Sequence, residues 1–232
     1  MNNMNNVKAV VLLSGGLDST TLLYYAVKEH GNDNIFALTT NYGQRHSIEI
    51  EKAKISCKKL GVKHKILDIS FLSEIVKNVS ALSNSGDVKM PDINEILGDP
   101  QPPTYVPFRN LILHSIALSF AESNSCEVVY LGIQVHDLYS YWDTTPEFVE
   151  AVNKVAQLNR HHYIVMKAPF VSLEKAEEIK FGLKLGVPYE DTWTCYTGPN
   201  EKGEACGTCP SCAERKGAFK KLGIVDPIPY KN

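Results

Sequence analysis

The segment Ser14-Gly15-Gly16-Leu17-Asp18-Ser19-Thr20 constrains this chain more than any other. It follows a short β-branched run, residues 8–13 (KAVVLL), and opens a helical pattern over residues 19–29. In an open parallel sheet, a strand-to-helix junction of this kind is where a ligand sits. Two adjacent glycines let the backbone bend sharply and present N–H groups to an anion. Ser19 and Thr20 add hydroxyl donors, and the helix start supplies roughly half a positive charge. Asp18 is unusual in an anion-binding loop; it either meets Mg²⁺ or fixes the loop. The segment lacks the Gly-Lys-Ser/Thr ending of a Walker loop and the G-x-G-x-x-G of a dinucleotide site. A tight turn with a good helix start would explain a lone Ser-Gly-Gly, but not the full pattern at a strand–helix junction.

Strand and helix patterns alternate along the rest of the chain. Strands are expected at 35–40, 63–69, 127–133 and 162–168, and helices at 45–60, 109–123 and 146–158. A further helix is expected at 172–184, capped by Ser172 and stopped near Gly186. Gly31 and Gly61 are placed to stop the first two helices, as glycine commonly does just past a helix end. The 109–123 helix is apolar on most sides, which predicts burial. Residues 71–104 read as irregular, with room for a short helix at 73–82; a connection of that length often serves as a lid or substrate loop. The pattern predicts an α/β fold, a parallel sheet with crossover helices on both faces.

A chain of 232 residues with 44% hydrophobic and 22% charged residues is an ordinary globular composition, able to bury a core without disulfide staples. Its net charge of −2 gives no footprint for nucleic acid or an acidic membrane. No stretch approaches the roughly 20 apolar residues of a membrane span, and the N-terminus does not read as a signal peptide. A cytoplasmic protein is expected.

Of six cysteines, Cys57 and Cys126 stand alone in apolar surroundings and read as small buried hydrophobes. Cys195, Cys206, Cys209 and Cys212 form C-x10-C-x2-C-x2-C. Two C-x2-C steps let thiolates turn around one ion, Gly207 and Pro210 suit the turns, and Cys195 closes a tetrahedral Zn²⁺ site with no position open to water. A redox pair at Cys206 and Cys209, or an iron–sulfur cluster, are the other readings. The following helix, residues 213–222, is expected to lid the knuckle with Glu214, Arg215, Lys216, Lys220 and Lys221 on a solvated face. Residues 1–190 are thus expected to form the nucleotide-binding and catalytic domain, and 191–232 the knuckle with its helix.

The first motif resembles the PP-loop of ATP pyrophosphatases, which binds the departing pyrophosphate while an oxygen attacks the α-phosphate. Together with the C-terminal knuckle it resembles the QueC (ExsB) family, the 7-cyano-7-deazaguanine synthases. The resemblance also rests on Tyr42-Gly43-Gln44-Arg45-His46, Tyr105-Val106-Pro107-Phe108-Arg109-Asn110, Leu173-Glu174-Lys175-Ala176-Glu177, Gly186-Val187-Pro188-Tyr189 and Thr192-Trp193-Thr194-Cys195-Tyr196. It implies a homodimeric, zinc-containing ligase using ATP and Mg²⁺. Its small-molecule substrates are ammonia and 7-carboxy-7-deazaguanine, whose carboxylate is adenylated, converted to an amide, and activated again to leave a nitrile. It also implies catalytic roles for Asp18, Arg109, Lys175 and Asp143. Nucleotide contacts fall to Leu13, Ser14, Gly15, Gly16, Leu17, Asp18, Ser19, Thr20, Gln44 and Arg45, and substrate contacts to Asp137, Tyr141, Asp143 and Phe108. His46, His114 and His136 read as satisfied structural histidines rather than acid–base groups.

The chain departs from the family pattern in one place. Where the family reads Pro-Asp-Cys-Arg, this chain has Trp142-Asp143-Thr144-Thr145, and a glycine before Arg-Asn has become Phe108. A thiol and a guanidinium are exchanged for two aromatics where the substrate is expected to lie. That leaves a second reading, a related ligase that joins the deazaguanine acid through an amide to another amine, such as a protein N-terminus. A tRNA-modifying PP-loop enzyme is disfavoured by the charge balance, and a catalytically silent zinc module by the intact loop.

Overall fold

The computed structural model describes residues 7–44, 47–82, 88–96, 98–99, 101–134 and 141–231. Its centre is a parallel sheet of β1 (Ala9–Leu12), β2 (Ile35–Asn41), β3 (Lys63–Asp68), β4 (Val128–Tyr130) and β5 (Val165–Lys167). The strand order is β3-β2-β1-β4-β5, with β1 paired on both sides: Ala9 faces Ile35 in β2 and Val128 in β4.

Successive strand residues point to opposite faces, so β1 divides its side chains between two cores. Ala9 and Val11 pack with Leu22, Leu23 and Ala26 of α1 (Leu17–His30) and Ala53 and Cys57 of α2 (Ile48–Leu60). Val10 packs on the other face with Ala117 and Ala121 of α4 (Arg109–Ser123) and with Phe148, Val149 and Val152 of α5 (Pro146–Ala156). A sheet covered on both faces needs strands apolar throughout, and KAVVLL supplies one. The single turn α3 (Leu72–Ile75) lies in the long connection between β3 and α4. The winding reverses between β1 and β4, which is where doubly wound sheets open a crevice beyond their strand ends.

Several boundaries differ from expectation for identifiable reasons. α2 begins at Ile48, and α3 spans Leu72–Ile75 rather than 73–82. α6 (Lys175–Lys184) is capped by Glu174, not Ser172, because Glu174 and Glu177 form a reciprocal capping box. On α4 only His114, Ala117 and Ala121 are fully buried. α7 (Pro210–Lys221) starts with a proline in its first turn, a position that suits the missing N–H. Leu17, Ala176, Ile179, Ala218 and Phe219 join α1, α6 and α7 in one cluster.

Arg215 does not lie on a solvated face. It is 1% exposed, and its Nε and Nη2 donate to the two Asp226 carboxylate oxygens at 2.8 and 3.0 Å. Nη1 donates to Thr192 Oγ1 and Thr194 Oγ1, and Nη2 also to the Tyr189 carbonyl. Cys57 and Cys126 are buried as expected, and burial pushes the Cys57 thiol up to about 12.

Candidate active site

A cavity of about 290 Å³ opens at the switch point between β1 and β4. The phosphate loop forms its floor. Leu13, Ser14, Gly16, Leu17, Asp18 and Ser19 line it, and amides at the start of α1 have no helical acceptor. The loop is tightly cross-linked: Ser14 N–H donates to Ser19 Oγ at 3.1 Å, and the two hydroxyls lie 2.9 Å apart. Leu13 N–H donates to the Leu38 carbonyl, and Leu13's own carbonyl accepts from Thr39 Oγ1. Gly15 sits at φ +89°, and a Cβ there would come 2.0 Å from the Glu49 carbonyl oxygen. Gly132, after β4, also has no room: a Cβ would meet the Ser19 backbone at 3.0 Å. Thr20 is buried in α1 and does not line the cavity.

Lys175 begins α6 and reaches under this floor. It forms an ion pair with Asp18, its Nζ is 4.0 Å from Glu178, and its side chain is 10% exposed. Burial alone would lower the Lys175 pKa, but Asp18, Glu214 and Glu178 raise it overall, so it stays charged. Glu178 is fully buried; burial and the Asp18 charge push its carboxyl well above the usual range, against the pull of Lys175. Gln134 Nε2 donates to Glu178 Oε2, and Gln134 lines the cavity beyond β4. The Asp18–Lys175 ion pair thus ties the loop to the start of α6.

The opposite wall comes from α4 and the turn after β4. Arg109 lines the cavity, held by Tyr42, whose Oη accepts from Nη1 at 3.4 Å and whose ring lies 5.4 Å from the guanidinium. Glu49 also lines the cavity; burial pushes its carboxyl up to about 7, with Arg109 opposing. Tyr141 and Thr144 are in the wall. Asp143 is buried beside it, its carbonyl accepting from Asn110 Nδ2 at 3.3 Å, and burial raises its carboxyl pKa against Arg109. His114 is buried and burial lowers its pKa to about 4, but its Nδ1 has no partner among the described residues, which differs from the satisfied histidine expected.

Phe108 is 55% exposed at the rim, in the left-handed region at φ 51°, and does not line the cavity. Its ring meets Trp142 edge-on at 5.4 Å. Phe108 N–H and Trp142 Nε1 both donate to Tyr105 Oη at 3.1 Å. Gln44 lines the cavity; Arg45, His46, His136 and Asp137 lie outside the described residues.

The four cysteine sulfurs lie within 4.8 Å of one another, and those of Cys206 and Cys212 are 3.9 Å apart. A tetrahedral ion with metal–sulfur bonds of about 2.3 Å needs sulfur–sulfur edges of roughly 3.8 Å, so the cluster fits a metal. Cys206 N–H donates to Cys195 Sγ, and Thr208 and Cys209 N–H to Cys206 Sγ, at 3.3–3.5 Å; such bonds favour thiolates.

Sequence reasoning missed Glu178, Gln134 and the cavity contacts of Trp193, Thr194 and Ser211. Glu178 carried no signal, since it falls in an otherwise ordinary charged helix. Trp193 was legible only as part of a family motif.

The chain is similar to several known proteins over most of its length. The "7-cyano-7-deazaguanine synthase" of Methanospirillum hungatei is 44% identical over 230 residues, covering 97% of this chain and 100% of the relative. That of Caldicellulosiruptor saccharolyticus is 43% identical over 225 residues, covering 97% of this chain and 96% of the relative. A 4-thiouridine synthetase solved with RNA and bound ATP superposes with a TM-score of 0.51 at 17% identity, over 94% of this chain and 50% of that one, a likeness of fold alone. The family model of "Queuosine biosynthesis protein QueC" matches residues 8–223, and with these relatives it shows that the chain belongs to the QueC family.

Proposed function

We propose that this chain catalyses the reaction for which its relatives are named, the formation of 7-cyano-7-deazaguanine, as an ATP-dependent carbon–nitrogen ligase. The observation that carries the reading is one cavity holding both a phosphate loop, braced by the Asp18–Lys175 ion pair, and the Arg109 guanidinium on the facing wall. In the reaction implied by the family, a carboxylate oxygen of 7-carboxy-7-deazaguanine attacks the α-phosphorus of ATP and expels pyrophosphate. Ammonia then displaces AMP at the acyl carbon and sheds a proton, leaving the amide. The amide oxygen is adenylated by a second ATP, and loss of AMP with the remaining two N–H protons leaves the nitrile.

The chain's own groups divide this work. Loop amides with the Ser14 and Ser19 hydroxyls bind the departing pyrophosphate, and Lys175 supplies its countercharge. Arg109 neutralises the attacking carboxylate and the α-phosphate. Gln44 and Arg45 contact the nucleotide, while Tyr141, Asp143 and Asp137 orient the acid and Phe108, outside the lining, borders the entrance at the rim. Asp18, open to the cavity at 29% side-chain exposure, is the residue that would hold a nucleotide-bound Mg²⁺, which spreads phosphate charge. We infer that the knuckle ion is structural Zn²⁺, since all four of its positions are filled by protein. We further infer a cytoplasmic homodimer without direct nucleic-acid contact. The relatives' names favour nitrile formation, and no finding favours coupling to a larger amine.

Two results are expected. With ammonia as sole nucleophile, mass spectrometry should find the nitrile, together with AMP and pyrophosphate; ADP and phosphate, or accumulation of amide alone, would overturn the assignment. Elemental analysis should find about one zinc per chain. Iron with a visible charge-transfer band, or no metal, would contradict the zinc assignment.

A further inference from the structure

The knuckle and the phosphate loop touch. Trp193, two residues before Cys195, donates its backbone N–H to the Gly15 carbonyl at 3.0 Å. Its carbonyl oxygen lies 3.5 Å from where a Gly16 Cβ would stand. The indole is buried among Cys195, Cys209 and Cys212, and its Nε1 donates to the Cys195 carbonyl at 3.1 Å. Thr194, the next residue, has its carbonyl held at 2.9 Å by Ser211 Oγ, in the first turn of α7 behind Cys209. Trp193, Thr194, Tyr196 and Ser211 all line the cavity. Gly15 is therefore clamped between the Glu49 carbonyl on α2 and a backbone segment whose path is set by the four-cysteine cluster.

We propose that Trp193 is a positioning residue for the phosphate loop, through which metal loading of the knuckle and nucleotide binding are thermodynamically linked. A glycine at φ +89° is held by its neighbours rather than by its own preferences. Metal binding and the folding of its ligand segment are coupled, so losing the ion loosens the segment at Cys195, leaves Thr192 and Thr194 held by Arg215 and Ser211, and weakens the donor to Gly15. The loop then samples conformations in which its amides do not converge, and nucleotide affinity falls by the fraction of competent loop. Linkage is reciprocal: whatever the metal does for the nucleotide, the nucleotide does for the metal. The inference rests on the nucleotide reading of the loop and extends it to a site that contributes no chemistry.

The test is competition for zinc between the full-length protein and a chelator of known affinity, with and without the non-hydrolysable analogue α,β-methylene-ATP and Mg²⁺. Binding of the analogue to the zinc-loaded protein is measured first by calorimetry. If it does not bind, the nucleotide reading fails, and the linkage with it. If it binds, apparent zinc affinity is expected to rise by roughly 5–150-fold, the ordinary range of site-to-site coupling. Unchanged zinc affinity with the analogue bound would overturn the linkage. Trp193→Phe keeps the backbone donor but loses the indole N–H to Cys195, and is expected to shrink the linkage factor severalfold while zinc stays bound. A purely structural tryptophan would lower the melting temperature of that variant and leave the factor untouched, which would overturn the positioning role.

Discussion

Replacing Lys175 by methionine is expected to lower kcat/KM by roughly 10²–10³-fold, the loss typical when one preorganised donor to developing charge is removed. Lys175 is nearly buried, charged, and tied to Asp18 beneath the phosphate loop. Methionine has a similar stem but no charge, so packing is largely kept. The ion pair is lost, however, and Asp18 is left beside the buried Glu178. Breaking a buried pair from one side costs about 3–5 kcal/mol. A fall in melting temperature is therefore expected with the fall in rate. The double variant Asp18→Asn/Lys175→Met removes both charges; it is expected to recover most of the melting temperature and none of the turnover. Thermal melts beside steady-state pyrophosphate release separate the two effects. Near-native turnover in either variant would remove Lys175 and Asp18 from the machinery.

Arg215→Ala is expected to destabilise the fold by about 3–5 kcal/mol. All five of its hydrogen bonds described above are to buried or half-buried partners, and Asp226 would keep a charge with no countercharge beside it. For a chain of this size that corresponds to a fall in Tm of roughly 6–20 °C. Because the same guanidinium holds Thr192 and Thr194, on either side of Trp193, the variant is also expected to retain zinc less firmly. Pairing it with Asp226→Leu should return part of the loss, since the second substitution removes the uncompensated carboxylate. Calorimetric melts of the two single variants and the double variant decide this; an Arg215→Ala melt within a degree or two of the parent would refute it.

The strand–helix alternation, the phosphate loop and the cysteine knuckle were legible because each depends on local pattern: β-branched runs, paired glycines at a junction, thiols at fixed spacing. What the sequence hid is set by distance in the fold. Arg215 sits among lysines in a helix that reads as solvated, and only the return of the chain at Asp226 explains its burial. Lys175 and Asp18 are separated by 157 positions, so neither announces the other. Ser172 looked like a cap by residue type, but the reciprocal Glu174–Glu177 box starts the helix three residues later. The 109–123 helix, apolar on most sides, was expected to be buried, and only three of its residues are fully so.

The two aromatics that depart from the family pattern do not behave as two changes. Phe108 accepts a left-handed backbone that a bulky residue rarely adopts, Trp142 stands edge-on against its ring, and both donate to one tyrosine oxygen. Each therefore supplies part of the setting in which the other is tolerated, and neighbours in such contact do not contribute additively. Glycine at 108 would relieve the left-handed backbone and keep the N–H to Tyr105, but would take away the ring that Trp142 meets, so the two exchanges are expected to be coupled in a double-variant melt. Both stand at the rim, outside the residues that line the cavity, while the phosphate floor comes from residues 13–19. Exchanges at this rim are therefore expected to act on one another and to leave the phosphate loop in place.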